Sequence, residues 1–508
     1  MLIKPAGETP DTYLAKKMNL LWPSVDANAV KSIPSHNDDV TSTTLSSPAT
    51  QEENGIDSHR LLVMGGNGNY LHLSDGRQIL DACGGAAVAC IGHGVREVSE
   101  VIAAQSATVS YVAWGFLDSQ SRQDLSRWLF KSSNDHFAKA WILSSGSEAM
   151  EAAIKLAHEY FVWVGEPQRV NYIAREESYH GITIGALSVG GHVTRRGPFE
   201  PLLMSNVYRI PACNPYRQKL PGESNEDFVS RKAQELEEAF LKAGPETVAA
   251  FIAEPVVGAA SGCVPSIPGY FQAMKAVCDK YGALLVFDEV MCGMGRTGTL
   301  HAWEQEGVIP DIQALGKGLG GGYQPASAVL ASRKIVNAME VKGATFTHGH
   351  TYLDHPVVCA AALRVQQIIE RDNLLPNVRA QGRYLEKLLQ NKLRNHPHVG
   401  DIRGRGLFWG IEFVSDKDSK EPFDPTLQLA RRIHETALSP PHNMAVYFGQ
   451  GCAGQGRGDH VMIMPAYNVT REVIDTIVEK FVVVLDDVFS GLQKADVDID
   501  VGVGVKAE

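Results

Sequence analysis

The stretch LLVFDEVMCGMGRTGTLHAWEQEGVIPDIQALGKGLGGG, residues 284–322, decides the fold of this chain. It begins with an unbroken apolar run, Leu284 to Phe287, which ends in Asp288 and Glu289. A run this short, without alternating polar residues, is typical of a strand buried on both faces of a parallel α/β sheet. Ligands bind at the carboxyl ends of such strands, so the two acids mark a candidate site.

Lys317 follows between Gly316 and Gly318, at a spacing that suits one crossover back to the rim where Asp288 lies. A lysine and a carboxylate that face one cleft suggest pyridoxal phosphate (PLP). This cofactor needs an amine for covalent attachment and an acid to keep its ring nitrogen protonated. The alternative is an acid in a salt bridge and a lysine on a solvated loop. This stretch alone favours neither interpretation.

Composition excludes several classes of protein. The formal net charge of −11 argues against binding to nucleic acid or to an anionic membrane. No apolar run is long enough to span a bilayer, and the N-terminus lacks the apolar core of a signal peptide. The eight cysteines are scattered without a C-x-x-C pair, which predicts neither disulfides nor a metal site and favours a cytoplasmic location.

The pattern along the chain predicts a mostly parallel, doubly wound sheet and a smaller α+β domain. Strands and helices alternate from about residue 139 to 332, which indicates a large α/β domain over 76–345. We expect the small domain at 346–493 and a flexible tail at 494–508. Residues 1–75 form an N-terminal segment, in which the Ser/Thr-rich stretch 34–57 is typical of a disordered or surface insertion.

A candidate phosphate site follows the apolar run that ends at Leu143. Ser145 and Glu148 have the spacing of a capping box, and an apolar helical pattern continues behind them. Exposed N–H groups at a helix N-terminus, with the hydroxyls of Ser145 and Ser147 beside them, suit a phosphate. An ordinary helix cap is the alternative, and for this spacing alone it is the commoner outcome.

Seven motifs occur in one order: SSGSEAMEAAIKLA, YHG, AEPVVGA, VFDEVMCGMGRTG, PDIQALGKGLGGGY, HTYLDHP and IRGRGLFWGIEF. In this order the chain resembles the class III aminotransferases, PLP-dependent enzymes of fold type I, over residues 60–490. The piece Gly458-Asp459-His460-Val461, followed by Pro465, is most similar to the ω-amino-acid:pyruvate and amine:pyruvate transaminases.

The resemblance implies roles at the cofactor ring. Lys317 would bind PLP covalently and then act as the general base, and Asp288 would pair with the ring nitrogen. Tyr179 would stack on one face of the ring and Val290 would press on the other. Glu254 would belong to the polar set near the ring hydroxyl or near an arginine that binds substrate.

The resemblance also implies the groups that hold the phosphate and the substrate. Ser145, Gly146 and Ser147 would hold the phosphate. Thr351 would reach the same phosphate from a neighbouring subunit, which implies a homodimer with shared active sites. Arg403 would bind the carboxylate of the amino or keto acid, and the alternative for Arg403 or Arg405 is a surface ion pair. With one such arginine, pyruvate is the expected acceptor, because 2-oxoglutarate would require a second cation.

The chain departs from this family at the substrate pocket. Where a bulky aromatic residue often stands, it has Ala86 and Ala87, which predicts a wider pocket for bulky or long-chain amines unless Trp114 or Phe116 fills the space. Trp22 is a candidate pocket residue from the N-terminal segment. A racemase, decarboxylase or phospho-lyase on the same scaffold, or a non-catalytic PLP-binding member, remain alternatives.

Overall fold

The apolar run that begins at Leu284 is a fully buried strand, Leu284–Asp288, in a seven-stranded sheet. The structure is a computed structural model that describes residues 60–503, with side chains described for residues 60–492. The described part from Leu61 onward forms one compact unit. The insertion predicted at 34–57 and the pocket residue Trp22 lie outside the described residues.

The strands of the described chain are short, as is usual in α/β proteins. In chain order they are β1 Val63–Asn67, β2 Tyr70–Leu73, β3 Gln78–Asp81, β4 Phe137–Leu143, β5 Asn171–Arg175, β6 Val207–Ile210, β7 Val248–Ala253, β8 Val256–Val257, β9 Val264–Pro265, β10 Leu284–Asp288, β11 Ile312–Leu315, β12 Ser327–Ser332, β13 Val399–Arg405, β14 Phe408–Phe413, β15 Met444–Ala445, β16 Tyr447–Gln450 and β17 Asp459–Ile463.

The helices of the described chain alternate with these strands through its central part. In chain order they are α1 Gly84–Ala87, α2 Arg96–Thr108, α3 Gln120–Ser132, α4 Gly146–Val164, α5 Ile184–Val189, α6 Val193–Arg196, α7 Pro215–Gln218, α8 Asn225–Ala243, α9 Tyr270–Tyr281, α10 Trp303–Glu306, α11 Arg333–Lys342, α12 Pro356–Arg371, α13 Leu374–Leu393, α14 Leu429–Leu438 and α15 Arg471–Val503.

The seven-stranded sheet has the strand order β4-β12-β11-β10-β7-β5-β6. Its pairs are parallel except those that β12 makes with β11 and with β4. Alternate residues of β10 enter different cores: Leu285 and Phe287 pack in one cluster, Leu284 and Val286 in the other. Because both faces of the sheet are covered, the prediction of a doubly wound, mostly parallel sheet is confirmed.

A second, antiparallel sheet has the order β13-β14-β17-β16, as in an α+β arrangement. A third core cluster contains residues of this sheet together with residues of α12, α13 and α15. The last helix, α15, buries one face in this cluster, and this face includes Ile474 and Phe481. This helix continues to Val503, into the predicted tail, and residues 504–508 lie outside the described part.

The strand β2 pairs in antiparallel fashion with both β1 and β3. The two-residue strand β15 pairs in parallel with β3, so residues far apart in the chain complete this sheet. The domain boundaries near residues 75 and 345 stay predictions. No helix among the described residues is long and apolar enough to cross a membrane.

Candidate active site

One cavity of about 260 Å³ opens beyond the end of β10 and contains most of the predicted site residues. The predicted residues among those that line it are Gly146, Ser147, Tyr179, Glu254, Asp288, Val290 and Lys317. They come from different strands and helices of the large sheet, so the cavity collects residues that are dispersed through the sequence. Its place at the carboxyl end of parallel strands is the usual place for a ligand in this architecture.

Lys317 and Asp288 lie on the same rim because their strands are neighbours. In the parallel pairing of β10 with β11, Asp288 lies opposite Ala314, and Lys317 follows β11 directly after Gly316. Lys317 has a φ of 41°, in the left-handed region that few residues other than glycine adopt. Such strain persists where the surrounding structure imposes it, and it is common at functional sites.

The amine of Lys317 is in an environment that disfavours its charge. Burial lowers its pKa from 10.5 to about 8, although Asp288 and Glu254 act in the opposite direction. A lysine with a lowered pKa has a larger fraction of neutral amine near neutral pH, and the neutral amine is the nucleophile. The environment of Lys317 therefore suits covalent chemistry.

Asp288 is buried, and both of its carboxylate oxygens have partners in the protein. The Nδ1 atom of His180 lies 2.8 Å from one oxygen, and the backbone N–H of Val290 donates to the other at 3.0 Å. The side chain of His180 is completely buried. These contacts hold the carboxylate in one orientation at the cavity wall.

The neighbouring acid, Glu289, is buried and holds the backbone of a following segment in place. It is completely buried and accepts hydrogen bonds from the N–H groups of Ala302 and Trp303, at 2.6 and 2.9 Å. Burial raises its pKa to about 8. The two acids that end β10 therefore differ, because Asp288 lines the cavity while Glu289 orders the chain that leads to α10.

Glu254 lies at the end of the adjacent strand β7 and positions the residues around Tyr179. It accepts a hydrogen bond from the N–H of Tyr179 at 3.1 Å and another from that of Gly258 at 2.8 Å. Burial raises its pKa, and the charge of Asp288 adds to this effect. In this way the carboxylate fixes the backbone that carries the aromatic ring.

The N-terminus of α4 points its free N–H groups towards the cavity. The predicted capping box is confirmed: the Ser145 hydroxyl accepts from the N–H of Glu148 at 3.2 Å, and Glu148 accepts from the N–H of Ser144 at 3.0 Å. At Gly146 a Cβ atom would lie 2.7 Å from a methyl carbon of Val290, so a side chain there would require Val290 to move. Gly146 lines the cavity, whereas the hydroxyl of Ser145 belongs to the cap.

Two residues that sequence analysis assigned to substrate are not in the cavity, and the first is Arg403. It lies within β13 opposite Gly410, and its guanidinium pairs with Glu412 and Asp401 and donates to the carbonyl of Gly262 at 3.0 Å. Burial opposes its charge, but the two carboxylates outweigh this effect and raise its pKa. The predicted carboxylate-binding role of Arg403 is therefore corrected to a structural one.

The second correction concerns Ala87, which has 2% exposure and packs in a core cluster with Phe408 and Met464. Its neighbour Ala86 lines the cavity instead. Thr351 is exposed and does not line the cavity of its own chain. Its predicted contribution to a neighbouring subunit's site stays a prediction.

Six cavity-lining residues were not assigned to the site from the sequence, and three of them have polar side chains: His180, Arg195 and Tyr447. His180 follows Tyr179 directly, so its motif was visible, but only the fold brings it to Asp288. The guanidinium carbon of Arg195 lies 4.9 Å from the centre of the Tyr179 ring. Tyr447 begins β16, and nothing in its local sequence signals a site.

Comparison with known proteins agrees with this geometry. Residues 52–485 match the family model described as aminotransferase class-III. An aminotransferase of Gibberella zeae is 49% identical over 410 residues, which is 80% of each chain. The chain belongs to the class III aminotransferases.

Solved structures of transaminases are similar to this aminotransferase. An (S)-enantioselective omega-transaminase from Thermomicrobium roseum has a TM-score of 0.79 and 36% identity, with 85% of this chain and 93% of that one covered. The omega transaminase of Pseudomonas jessenii in complex with PMP has the same TM-score and 31% identity, with 88% and 97% covered. The fold of this aminotransferase is therefore fold type I.

Class III aminotransferases depend on PLP, and the cavity of this aminotransferase fits that group. Gly146 leaves the first turn of α4 without a side chain, which suits a phosphate at the helix N-terminus. Lys317 supplies an amine of lowered pKa, and Asp288 supplies an oriented carboxylate on the same cavity wall. The residues present therefore include the donors and the acid that PLP requires.

Proposed function

We propose that this aminotransferase moves an amino group from an amine or ω-amino acid, including bulky or long-chain donors, to pyruvate in a ping-pong reaction. The observation that carries the proposal is the shared cavity. Lys317 and Asp288 line it together with the small residue Ala86 and one guanidinium, that of Arg195. Lys317 and Asp288 would serve the cofactor, the small side chain of Ala86 leaves space for a donor, and the guanidinium of Arg195 could bind one carboxylate.

The space near Ala86 supports a bulky donor. The indole N–H of Trp114 donates to the carbonyl of His350 at 3.0 Å, and the side chain of Phe116 is 91% exposed, so neither aromatic residue of this chain fills that space. A variant of a thermostable omega transaminase, which is 31% identical to this chain and has glycine in place of a tryptophan, was engineered for the synthesis of bulky amines. The small residue Ala86 at the cavity of this chain supports bulky amines as donors in the same way.

Pyruvate is the proposed acceptor because it carries one carboxylate. Arg195 is the one guanidinium among the described residues that line the cavity. A second carboxylate, as in 2-oxoglutarate, would have to be desolvated without a cationic partner, which is costly. The charge balance of the cavity therefore favours a monocarboxylic keto acid.

The residues at the cofactor have separate tasks in this proposal. PLP, when bound, supplies a ring that withdraws electrons from the reacting carbon of the substrate. Lys317 binds the cofactor covalently and, once released, moves the proton at the substrate carbon. Asp288, oriented by His180, keeps the ring nitrogen protonated by its negative charge.

The remaining groups position the cofactor. Gly146 and Ser147 hold the phosphate through the helix N-terminus, and Ser145 supports them through the cap. Tyr179 and Val290 hold the two faces of the ring, and Glu254 keeps Tyr179 in place through its backbone.

The proposal includes a homodimer in which Thr351 reaches the phosphate of the partner's site. Thr351 is exposed, and so is the large side chain of its neighbour Tyr352. Two further exposed apolar residues, Phe116 and Leu117, follow Trp114 in the chain. Large exposed apolar residues in clusters often mark interfaces. A cytoplasmic location is also proposed, because all eight cysteines are buried free thiols.

A donor screen tests the function. Purified holoenzyme is incubated with pyruvate and with the two enantiomers of 1-phenylethylamine, a long-chain primary amine and an ω-amino acid, and alanine is measured by chromatography. We expect alanine from at least one donor class and little glutamate when 2-oxoglutarate replaces pyruvate. Loss of donor carboxylate as CO₂, or racemisation without transfer, would instead support a decarboxylase or a racemase, and phosphate release from a phosphorylated amine would support a phospho-lyase.

Co-expression tests the shared site. Subunits with Lys317→Ala and subunits with Thr351→Ala are inactive or weakened alone. A mixed dimer contains one site with both native residues if Thr351 acts across the interface. Recovery of activity in the mixed dimer supports this arrangement, and light scattering measures the dimer. A monomer, or no recovery in a confirmed mixed dimer, contradicts it.

A further inference from the structure

An acceptor with a carboxylate needs a cationic partner in the cavity, and Arg403 is not available for it. The guanidinium of Arg403 is buried and bonded to Glu412, Asp401 and backbone carbonyls outside the cavity. Two cationic side chains, Lys317 and Arg195, are among the described residues that line the cavity. Lys317 is required for the cofactor, so Arg195 is the remaining candidate.

The environment of Arg195 suits a ligand rather than a structural role. Its guanidinium lies over the ring of Tyr179, 4.9 Å from the ring centre, and its side chain is exposed. Within residues 60–492 no carboxylate pairs with the guanidinium of Arg195, and this group donates no hydrogen bond to the protein, although the backbone N–H of Arg195 donates to the carbonyl of His192. An arginine stacked on an aromatic ring keeps its N–H donors free for a planar anion.

The adjacent residue, Arg196, is buried and fully bonded to the protein, in contrast to Arg195. Arg196 is buried and donates to the carbonyls of Leu187, Ser188 and Gly190, at 3.1, 2.8 and 3.0 Å, and it also pairs with Glu200. These carbonyls lie at the C-terminal end of α5, which precedes α6. The backbone of α6 is therefore tied to α5, so the side chain of Arg195 starts from a fixed point beside the cavity.

We propose that Arg195 is the substrate-binding residue for the carboxylate of the keto-acid acceptor and of the amino acid formed from it. This inference rests on the proposed function, in which the acceptor is a keto acid. The fork of a guanidinium can donate two parallel hydrogen bonds to one carboxylate. A donor amine without a carboxylate does not use this contact, so Arg195 distinguishes the two half-reactions.

Single-turnover kinetics of the holoenzyme test the assignment. Arg195→Gln removes the charge and Arg195→Lys keeps it, while Arg431→Gln removes an exposed arginine that pairs with Glu435 on α14 and serves as the matched control. We expect Arg195→Gln to raise the apparent Kd for pyruvate about tenfold or more, since charge-assisted hydrogen bonds are among the stronger ones. The change should be much smaller for benzaldehyde, an acceptor without a carboxylate. Arg195→Lys should recover part of the loss, and the control should behave as the native enzyme.

An equilibrium measurement separates this inference from the proposed function. Propanoate has a carboxylate but neither an amino nor a keto group, so its binding, followed by the cofactor absorbance, requires no turnover. Weaker binding by Arg195→Gln than by Arg431→Gln supports the inference even if pyruvate is not the natural acceptor. Equal propanoate binding, or equal weakening with pyruvate and benzaldehyde, overturns it. Loss of cofactor from Arg195→Gln also overturns it, because the arginine would then serve the cofactor.

Discussion

The Nδ1 atom of His180 lies 2.8 Å from a carboxylate oxygen of Asp288, and neither residue is accessible enough to exchange this contact for water. The other oxygen of Asp288 accepts from the N–H of Val290. The carboxylate is therefore oriented before any ligand binds, and it requires no reorganisation during the reaction. In the proposed function, His180 would therefore act on the reaction through Asp288.

The first prediction concerns this histidine. For His180→Phe we expect kcat/KM to fall roughly tenfold to a hundredfold, because a hydrogen bond to a charged group is lost. The absorbance band of the bound cofactor should also shift, which a merely destabilising change would not cause. His158→Phe is the control, since His158 contacts the Arg169 carbonyl and does not line the cavity. An unchanged band with a lower melting temperature would contradict the positioning role.

Asp288→Asn tests the acid itself. We expect a loss in kcat of at least about a hundredfold, since each ~1.4 kcal/mol of lost transition-state stabilisation lowers the rate tenfold. The matched variant is Glu289→Gln, whose side chain orders the chain near Trp303 and does not line the cavity. It should lower stability more than it lowers the rate of the chemical step. A mild effect of Asp288→Asn on kcat would show that this acid does not act on the ring nitrogen.

The lowered pKa of Lys317 predicts how the rate of covalent PLP binding depends on pH. The pKa is lowered to about 8, mainly by burial, so the neutral amine increases as the pH rises through this value. The rate at which cofactor-free protein binds PLP covalently should therefore rise with pH and level off above about 8, as followed by absorbance. A rate that keeps rising to pH 10 would contradict the lowered pKa. Lys317→Ala should show no covalent uptake and no transfer.

Gly146 tests the fit of the phosphate end. A methyl group at this position would lie 2.7 Å from a methyl carbon of Val290, so Gly146→Ala must displace a second residue of the cavity. We expect the Kd for PLP to increase about tenfold or more, since overpacking costs ~1–3 kcal/mol. Gly491→Ala is the control, because among the described residues no atom outside its own helical turn lies within 4 Å of the added carbon. Equal affinity in both variants would show that the site adapts.

We expect Arg403→Ala to lower the free energy of unfolding. It removes one of the two arginines that pair with the buried carboxylate of Glu412, and Arg217 remains as its partner. The expected loss in the free energy of unfolding is about 1.5–3 kcal/mol, the usual contribution of hydrogen bonds to a charged group. Denaturant unfolding measures this loss, and the exposed Arg431→Ala should change the same quantity by less than about 0.5 kcal/mol. A stable Arg403→Ala protein with weakened pyruvate binding would restore the role predicted from sequence.

The positions of Asp288, Lys317 and Ser145 at or just after the ends of strands were predictable, because each has a distinct local pattern. The apolar run before Asp288 and the glycines around Lys317 indicate strand ends on one rim, and parallel neighbours must bring such ends together. The capping box at Ser145 is a local feature, so it too was correctly predicted. The substrate residues were not predictable in this way.

What the sequence by itself determined is the fold, the family, the rim on which Lys317 and Asp288 lie and the helix cap at Ser145, since these depend on spacing along the chain and on local hydrogen bonds. Only the tertiary structure decided which charged groups are already paired. Arg403 and Arg195 are both arginines in polar surroundings in the sequence, but one faces Glu412 across a hairpin and the other stacks on Tyr179 at the cavity. The physical reason is that a long flexible side chain takes its role from partners that are distant in sequence, and only the folded chain brings them within reach.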